Sequence, residues 1–399
     1  MFHHFIHCEP PKKNTRKTQK KQPNKFQQYA KTLHDYGFVV IPREVIGIQI
    51  TEVEEMYREQ LLAANKILGL QWNDAEHVHT MQQTQKKEMQ QTQKKENERK
   101  GKKDTTYKKW LKKEYKQKLP IGLLDDKLLH SQLKLQLDWR INSLYDYLFT
   151  QMGIVQDSPI NYIHLQKTNL TLPGGNDDKN LRKLYQQKGA DEHVDENPWN
   201  EQDPDEEFDY DFWGSGKKKR IDKNHMRPRE RYRPIASFIA LTDCIGGPNN
   251  GGMGFSPDRS AYGFLQDHQI RGRNKKCGQG TFIRKTVTGA KGDYKKMLEK
   301  RQKAIVKGMI YPEYNRGDVV LWLYNTVHSG PRNNVHHTQI QSRMYIGLIP
   351  DCRLNRQHVQ IQWAKYGKDI EKIADITEEE KRRFGKNIRH TATGTTTTT

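Results

Sequence analysis

Apolar residues are scarce in this chain. Only 33% of its 399 positions are hydrophobic, and the mean hydropathy is −1.02. No run approaches the ~20 apolar residues of a membrane-spanning helix, so no membrane span is expected. Much of the chain must also lie outside any core. Cysteine is rare too. Cys8, Cys244, Cys277 and Cys352 are scattered, with neither the paired spacing of a zinc site nor a disulfide framework. A reduced, intracellular setting, cytoplasmic or nuclear, suits that usage. Residues 1–23 are polar and lysine-rich and lack the apolar segment of a secretory signal. Acid is outnumbered, with 48 Asp and Glu against 69 Lys and Arg, a net charge of +21.

The excess positive charge is concentrated. Residues 81–118 hold 14 basic residues against 5 acids, and residues 12–25 add 7 more basic ones. Lysine dominates there and aromatics are few, a composition suited to diffuse attraction of polyanions rather than to base reading. Residues 1–25 read as a disordered basic tail. Residues 81–118, where an eight-residue unit occurs twice, read as a low-complexity Lys/Gln-rich insertion. A second insertion is divided by sign: residues 191–211 carry 11 acids and no base, and residues 217–233 carry 9 bases and 2 acids. The charged loop 196–233 thus reads as halves that pair loosely, or as a lid opened by His193 and Asp195.

Between these segments the pattern changes from helical to extended. Residues 26–36, 50–68 and 128–152 carry apolar residues at helical spacing. Phe38-Val39-Val40-Ile41-Pro42 reads as a short strand. Strand patterns follow at 162–171, 234–242, 280–288, 319–324 and 343–349. Helices first and a strand-rich half after them predict an α+β chain: a jelly-roll core flanked by N-terminal helices. A C-terminal helical segment and Thr-rich tail occupy 356–399.

The chemistry concentrates at Gly317-Asp318-Val319-Val320-Leu321-Trp322-Leu323-Tyr324-Asn325-Thr326-Val327-His328. A tight turn and a β-branched, aromatic strand deliver His328 just ahead of the breaker Gly330-Pro331. Upstream, His193-Val194-Asp195 offers a second imidazole and a carboxylate. Two histidines and one carboxylate with open positions are the ligand set of non-haem Fe(II) that activates O2. Arg343 alternates into the next strand, where its guanidinium could face a carboxylate.

These residues, with others, carry a family resemblance. Tyr36-Gly37-Phe38-Val39-Val40-Ile41-Pro42, His193-Val194-Asp195, Leu241-Thr242-Asp243 with Asn249-Asn250-Gly251-Gly252-Met253, and Gly317-Asp318 before His328 resemble the phytanoyl-CoA dioxygenase family. That family is a branch of the Fe(II)/2-oxoglutarate oxygenases, and the resemblance runs from about residue 26 to 350. It implies a double-stranded β-helix (cupin-like) in an oxygenase domain spanning 26–355. It also implies Fe(II) on His193, Asp195 and His328, with 2-oxoglutarate and O2 as cosubstrates. Arg343 would grip the far carboxylate of 2-oxoglutarate, with Arg332 as second candidate because the gap from His328 is a few residues long. Gln166, Thr168 and Asn169 would line one wall, one of them reaching the cosubstrate. Trp199 and Trp322 would shape the substrate side or simply pack. Asp195 favours hydroxylation, since halogenating relatives have a small residue there. One departure is Ser256-Pro257-Asp258-Arg259-Ser260, which lacks the histidine of the family's corresponding element.

Three functions follow as expectations. The first is an oxygenase acting on a small or lipid-like molecule. The second is the same chemistry on nucleic acid or protein, with the Lys-rich segments as recruiting arms. The third is a catalytically silent nucleic-acid-binding protein with the same barrel.

Overall fold

The computed structural model describes residues 25–68, 129–154, 160–166, 168–171, 190–195, 233–248, 250–258, 281–282, 291–330, 341–372 and 376–388. The basic tail (1–24), the insertion 81–118, the loop 196–232, Trp199, Arg332 and the Thr-rich end lie outside the described residues.

Helix α1 (Gln27–Tyr36) ends where Gly37 turns left-handed at φ +79°, and strand β1 (Phe38–Ile41) follows at once. A short α2 (Arg43–Ile46) and the long α3 (Ile50–Leu68) come next. The segment expected as one helix over 128–152 is two, α4 (His130–Leu137) and α5 (Trp139–Gln151). Asp138 causes the break: its backbone is extended at ψ +126°, and its carboxylate accepts the Arg140 N–H as the cap of α5.

Strands β2 (Tyr162–Ile163), β3 (Thr168–Thr171), β4 (Ala190–Val194), β5 (Ile235–Ala240), β6 (Gly254–Phe255), β7 (Thr281–Phe282), β8 (Val319–Leu323), β9 (His328–Gly330), β10 (Gln341–Ile346) and β11 (Leu348–Ile349) form three antiparallel sheets. A five-stranded sheet has the order β1-β8-β5-β10-β3, a four-stranded one β6-β9-β4-β7, and β11 pairs with β2. The strand expected over 162–171 and the one over 343–349 each split between two sheets. The breaks face each other: the His164 N–H donates to the Gly347 carbonyl at 2.7 Å, and a Cβ at Gly347 would collide with the His164 carbonyl. Only glycine lets the backbones approach so closely.

Both faces of the five-stranded sheet are covered at its β1, β8 and β5 strands, which are apolar at nearly every position. On β5, Ile235 and Ile239 join the cluster under the helices, which includes Leu133, Ile141, Leu144 and Leu148. Ser237 shares that side and bonds the buried Tyr145 hydroxyl at 2.5 Å. Ala236, Phe238 and Ala240 face the other way, with Phe38, Phe255, Tyr314 and Trp322. Phe255 of β6 stacks on Phe38 of β1 at 4.8 Å and tilts against Trp322 of β8 at 5.7 Å. The two larger sheets therefore meet through an aromatic layer.

Helix α6 (Gly292–Lys307) has no counterpart in the sequence reading, because it buries little beyond Leu298 and Ile305. Helices α7 (Arg353–Ile370) and α8 (Glu378–Arg383) follow β11. Ile370 and Phe384 enter the same core cluster as α3, α4 and α5, so the C-terminal segment packs on the common core. Among the described residues no helix is long and apolar enough to cross a membrane.

Candidate metal centre

Strand β8 is pinned at both ends. Asp318, at the start of β8, accepts from the Asn315 and Arg43 N–H groups at 2.8 and 3.1 Å, with Gly317 before it at φ +93°. After β8, the Thr326 hydroxyl donates to the Gly37 carbonyl at 2.8 Å. The Thr326 carbonyl then accepts from His328 Nδ1 at 2.9 Å. A carbonyl can only accept, so Nδ1 carries a proton and Nε2 is the ring nitrogen available as a ligand atom.

His193 of β4 is the direct cross-strand partner of His328, and the rings lie 4.4 Å apart. Side chains alternate along a strand, so Asp195, two residues on, returns to the same face. One ligand atom from each of His193, Asp195 and His328 lies within 4.8 Å of the others. Donors each ~2 Å from one ion and grouped on one face lie ~3 Å apart, so shifts of under ~2 Å would close the cluster. His328 is buried; His193 and Asp195 are half-buried, leaving the centre approachable from their side.

The two oxygens of Asp195 have different partners. Oδ1 lies 3.4 Å from His328 Nε2. Oδ2 accepts from Trp322 Nε1 at 3.1 Å and pairs with Arg233 Nη2 at 3.0 Å. Burial pushes the Asp195 carboxyl up, but the charges of Arg233, His328 and His193 outweigh it and hold the group well below the usual carboxylate range. The carboxylate is thus kept ionised, as a metal ligand must be.

Arg343 stands on the five-stranded sheet and is 4% exposed. Its Nε donates to the Tyr314 hydroxyl at 3.2 Å, Nη2 donates to the Gly251 carbonyl, and the guanidinium lies 5.3 Å from the Phe238 ring centre. Among the described residues no carboxylate pairs with it. Phe238 in turn contacts Trp322 at 6.0 Å, and Trp322 contacts His328 at 5.3 Å. Arg343 and the ligand cluster therefore border one aromatic layer between the sheets.

The wall residues divide. Asn169 is the register partner of Arg343, and Thr168 that of Met344. Met344 belongs to the helix-side core, so Thr168 shares the face away from Arg343. Gln166 is half-buried between β2 and β3, where its carbonyl accepts from Gln132 Nε2 at 2.9 Å and its own Nε2 is buried without a partner among the described residues. The structure therefore brings His193, Asp195 and His328 together, sets Arg343 across the aromatic layer, and leaves Thr168 and Gln166 outside that group. Sequence reasoning missed Arg233. It is the last of a long run of basic residues read as a solvated loop, and the available signal was its place two residues before a fully buried strand.

No family model matches the chain, and no curated protein matches it in sequence. Solved structures do resemble it. A hypothetical protein of Escherichia coli aligns with a TM-score of 0.51 at 12% identity over 90% of this chain and 82% of that one. The GlcNAc-inducible gene 2 protein of Candida albicans aligns with a TM-score of 0.49 at 11% identity over 91% and 73%. The epimerase SnoN, solved with Fe3+, alpha ketoglutarate and nogalamycin RO, aligns with a TM-score of 0.39 at 12% identity over 83% and 88%. The first of these likenesses establishes a shared fold.

Proposed function

We propose that this chain is an Fe(II)/2-oxoglutarate-dependent oxygenase that hydroxylates a small organic substrate. Its two larger sheets would form the double-stranded β-helix, in a domain of residues 26–355 completed by packing from Ile370 and Phe384. The observation that carries the proposal is the convergence of His193, Asp195 and His328 on one face, with the buried guanidinium of Arg343 across the same aromatic layer.

The donor set suits the metal. Two neutral imidazoles and one carboxylate oxygen on one side leave positions open for a chelating cosubstrate and O2. When bound, iron and 2-oxoglutarate supply the oxidising chemistry, with succinate and CO2 as the coproducts and a hydroxylated carbon as the result. The chain binds and orients. His193, Asp195 and His328 hold the ion, and the Thr326 carbonyl fixes the ring of His328. Arg343 meets the far carboxylate of 2-oxoglutarate with a planar fork, in surroundings dry enough to strengthen the pairing. A buried guanidinium without an anion is costly, and a ligand carboxylate would relieve that cost. Phe38, Phe238, Phe255 and Trp322 keep water from the cosubstrate end. The half-buried side at His193 and Asp195 is where a substrate would approach. Asp195 supplies the carboxylate that a halogenating site lacks, which supports hydroxylation.

The test is anaerobic addition of Fe(II) and 2-oxoglutarate to the purified protein. A weak visible charge-transfer band is expected, followed on exposure to air by slow release of succinate without added substrate. Absence of both would refute the proposal.

A further inference from the structure

Resting on the metal-site reading above, we infer that Arg233 and Trp322 form an anion cradle that grips Asp195 by Oδ2 and presents Oδ1 alone to the metal. Neither residue reaches the ion; both are positioning residues.

The two donors come from neighbouring places on the five-stranded sheet. Trp322 pairs in register with Ala236, and Ile235, two residues after Arg233, pairs with Leu323. Asp195 belongs to the other sheet, at the end of β4. The grip therefore ties a ligand from one sheet to the wall of the other. Both donors bond the same oxygen, at 3.1 and 3.0 Å, while Oδ1 faces His328 Nε2 at 3.4 Å. An ungripped carboxylate can rotate, chelate through both oxygens or turn to water. Two fixed donors, one of them charged, remove those options and keep open coordination positions free.

The cradle is built rather than incidental. The Arg233 side chain is 7% exposed, and among the described residues its Nε is buried without a hydrogen-bond partner and Asp195 is the carboxylate that balances its charge. The Trp322 indole is packed among Phe238, Phe255 and His328 with its N–H directed at Asp195 Oδ2. If the Asp195 carboxylate were deleted, a buried cation and an N–H donor would remain around a carboxylate-sized space. A small anion should then take its place.

The experiment uses Co(II) as a spectroscopic probe, read by its visible absorption without turnover. Arg233→Met and Trp322→Phe should each weaken Co(II) binding about 10–100-fold, with Arg233→Lys recovering part of the loss. Asp195→Ala should lose Co(II), and sodium formate should restore it. In the double variant Asp195→Ala/Arg233→Met formate should do nothing. If Arg233→Met fails to fold, Trp322→Phe and the formate titration of Asp195→Ala decide alone. Wild-type affinity and an unchanged spectrum in Arg233→Met and Trp322→Phe overturn the cradle, as does formate that fails on Asp195→Ala or works equally on the double variant. A wild-type protein that takes up no Co(II) overturns both the cradle and the oxygenase reading, whereas uptake by wild type with unaffected variants removes the cradle alone.

Discussion

The hydroxyl of Thr326 donates to the carbonyl of Gly37 at 2.8 Å, and the same hydroxyl fills the space where a side chain at residue 37 would begin. Gly37 also adopts a left-handed φ of +79° to end α1 and start β1. Gly37→Ala meets both obstacles, strain and collision, and should cost about 1–3 kcal/mol of stability in urea unfolding. The damage should reach the metal centre, because displacing Thr326 moves the carbonyl that orients His328. Weaker Co(II) binding in the folded variant is the expected sign. An alanine variant as stable as wild type would remove the argument.

His193 and His328 face one another across the β4–β9 ladder, so neither can be replaced by its partner. A ligand that binds only the folded state raises its stability by about 2.7 kcal/mol at a hundredfold excess over Kd. Saturating Mn(II) should therefore raise the melting temperature of the wild-type protein. His193→Ala and His328→Ala should each abolish that rise while changing the metal-free melting temperature much less. A Mn(II)-dependent rise that survives in His328→Ala would place the metal elsewhere.

The convergence of His193, Asp195 and His328 was legible in the sequence, for reasons specific to each residue. His328 follows a five-residue apolar strand and a turn, local signals that tertiary packing did not override. His193 and Asp195 are two apart, so any strand places them on one face. The strand patterns located β1, β5 and β8 to within a residue or two, and the end of α1 followed from Gly37. What stayed hidden were long-range relations. Arg233 lies 38 positions after Asp195 in a run of like charge, and nothing local separates a buried cation from solvated neighbours. Trp322 was read as packing or as a substrate wall, yet its indole N–H meets Asp195, 127 positions away. The break at Asp138 was missed because the apolar spacing continues through it while the carboxylate turns the chain. Thr168 and Asn169 could not be separated without the register of β3 on β10.

Arg343 tests the cosubstrate assignment. Its guanidinium is held by the Tyr314 hydroxyl and the Gly251 carbonyl, both neutral, and burial pushes the Tyr314 phenol upward despite the neighbouring cation. Arg343→Met should weaken 2-oxoglutarate binding by at least about a hundredfold, the scale of a lost charged hydrogen-bonding partner, and leave Co(II) affinity within about threefold. Arg343→Lys should rescue poorly, because a point charge cannot reproduce the fork. Quenching of tryptophan fluorescence by 2-oxoglutarate provides the measurement. Loss of metal and cosubstrate binding together would make Arg343 a structural residue.

Arg140 offers a prediction away from the site, with a sign fixed by acid–base linkage. Its guanidinium joins Glu52 of α3 at 2.7 and 3.1 Å, Asp138 at 2.5 and 3.0 Å, and the Gly47 carbonyl at 2.6 Å. The hydrogen bond from Arg140 lowers the Glu52 carboxyl below its ordinary 4.5, against the opposing pull of burial. A carboxyl depressed in the folded state stabilises fully above its unfolded value, and that contribution is lost as pH falls through the folded one. Glu52 is 41% exposed at its side chain, so solvent screens its share. Arg140→Met should therefore cost about 2 kcal/mol near neutrality, most of it from the better buried Asp138 contacts. The gap between wild type and variant should narrow as pH drops below 4.5, where Glu52 takes up its proton. Urea unfolding of both proteins at neutral pH and in the acid range measures it, and a gap that holds constant or widens in acid would show that the Arg140–Glu52 pair contributes nothing.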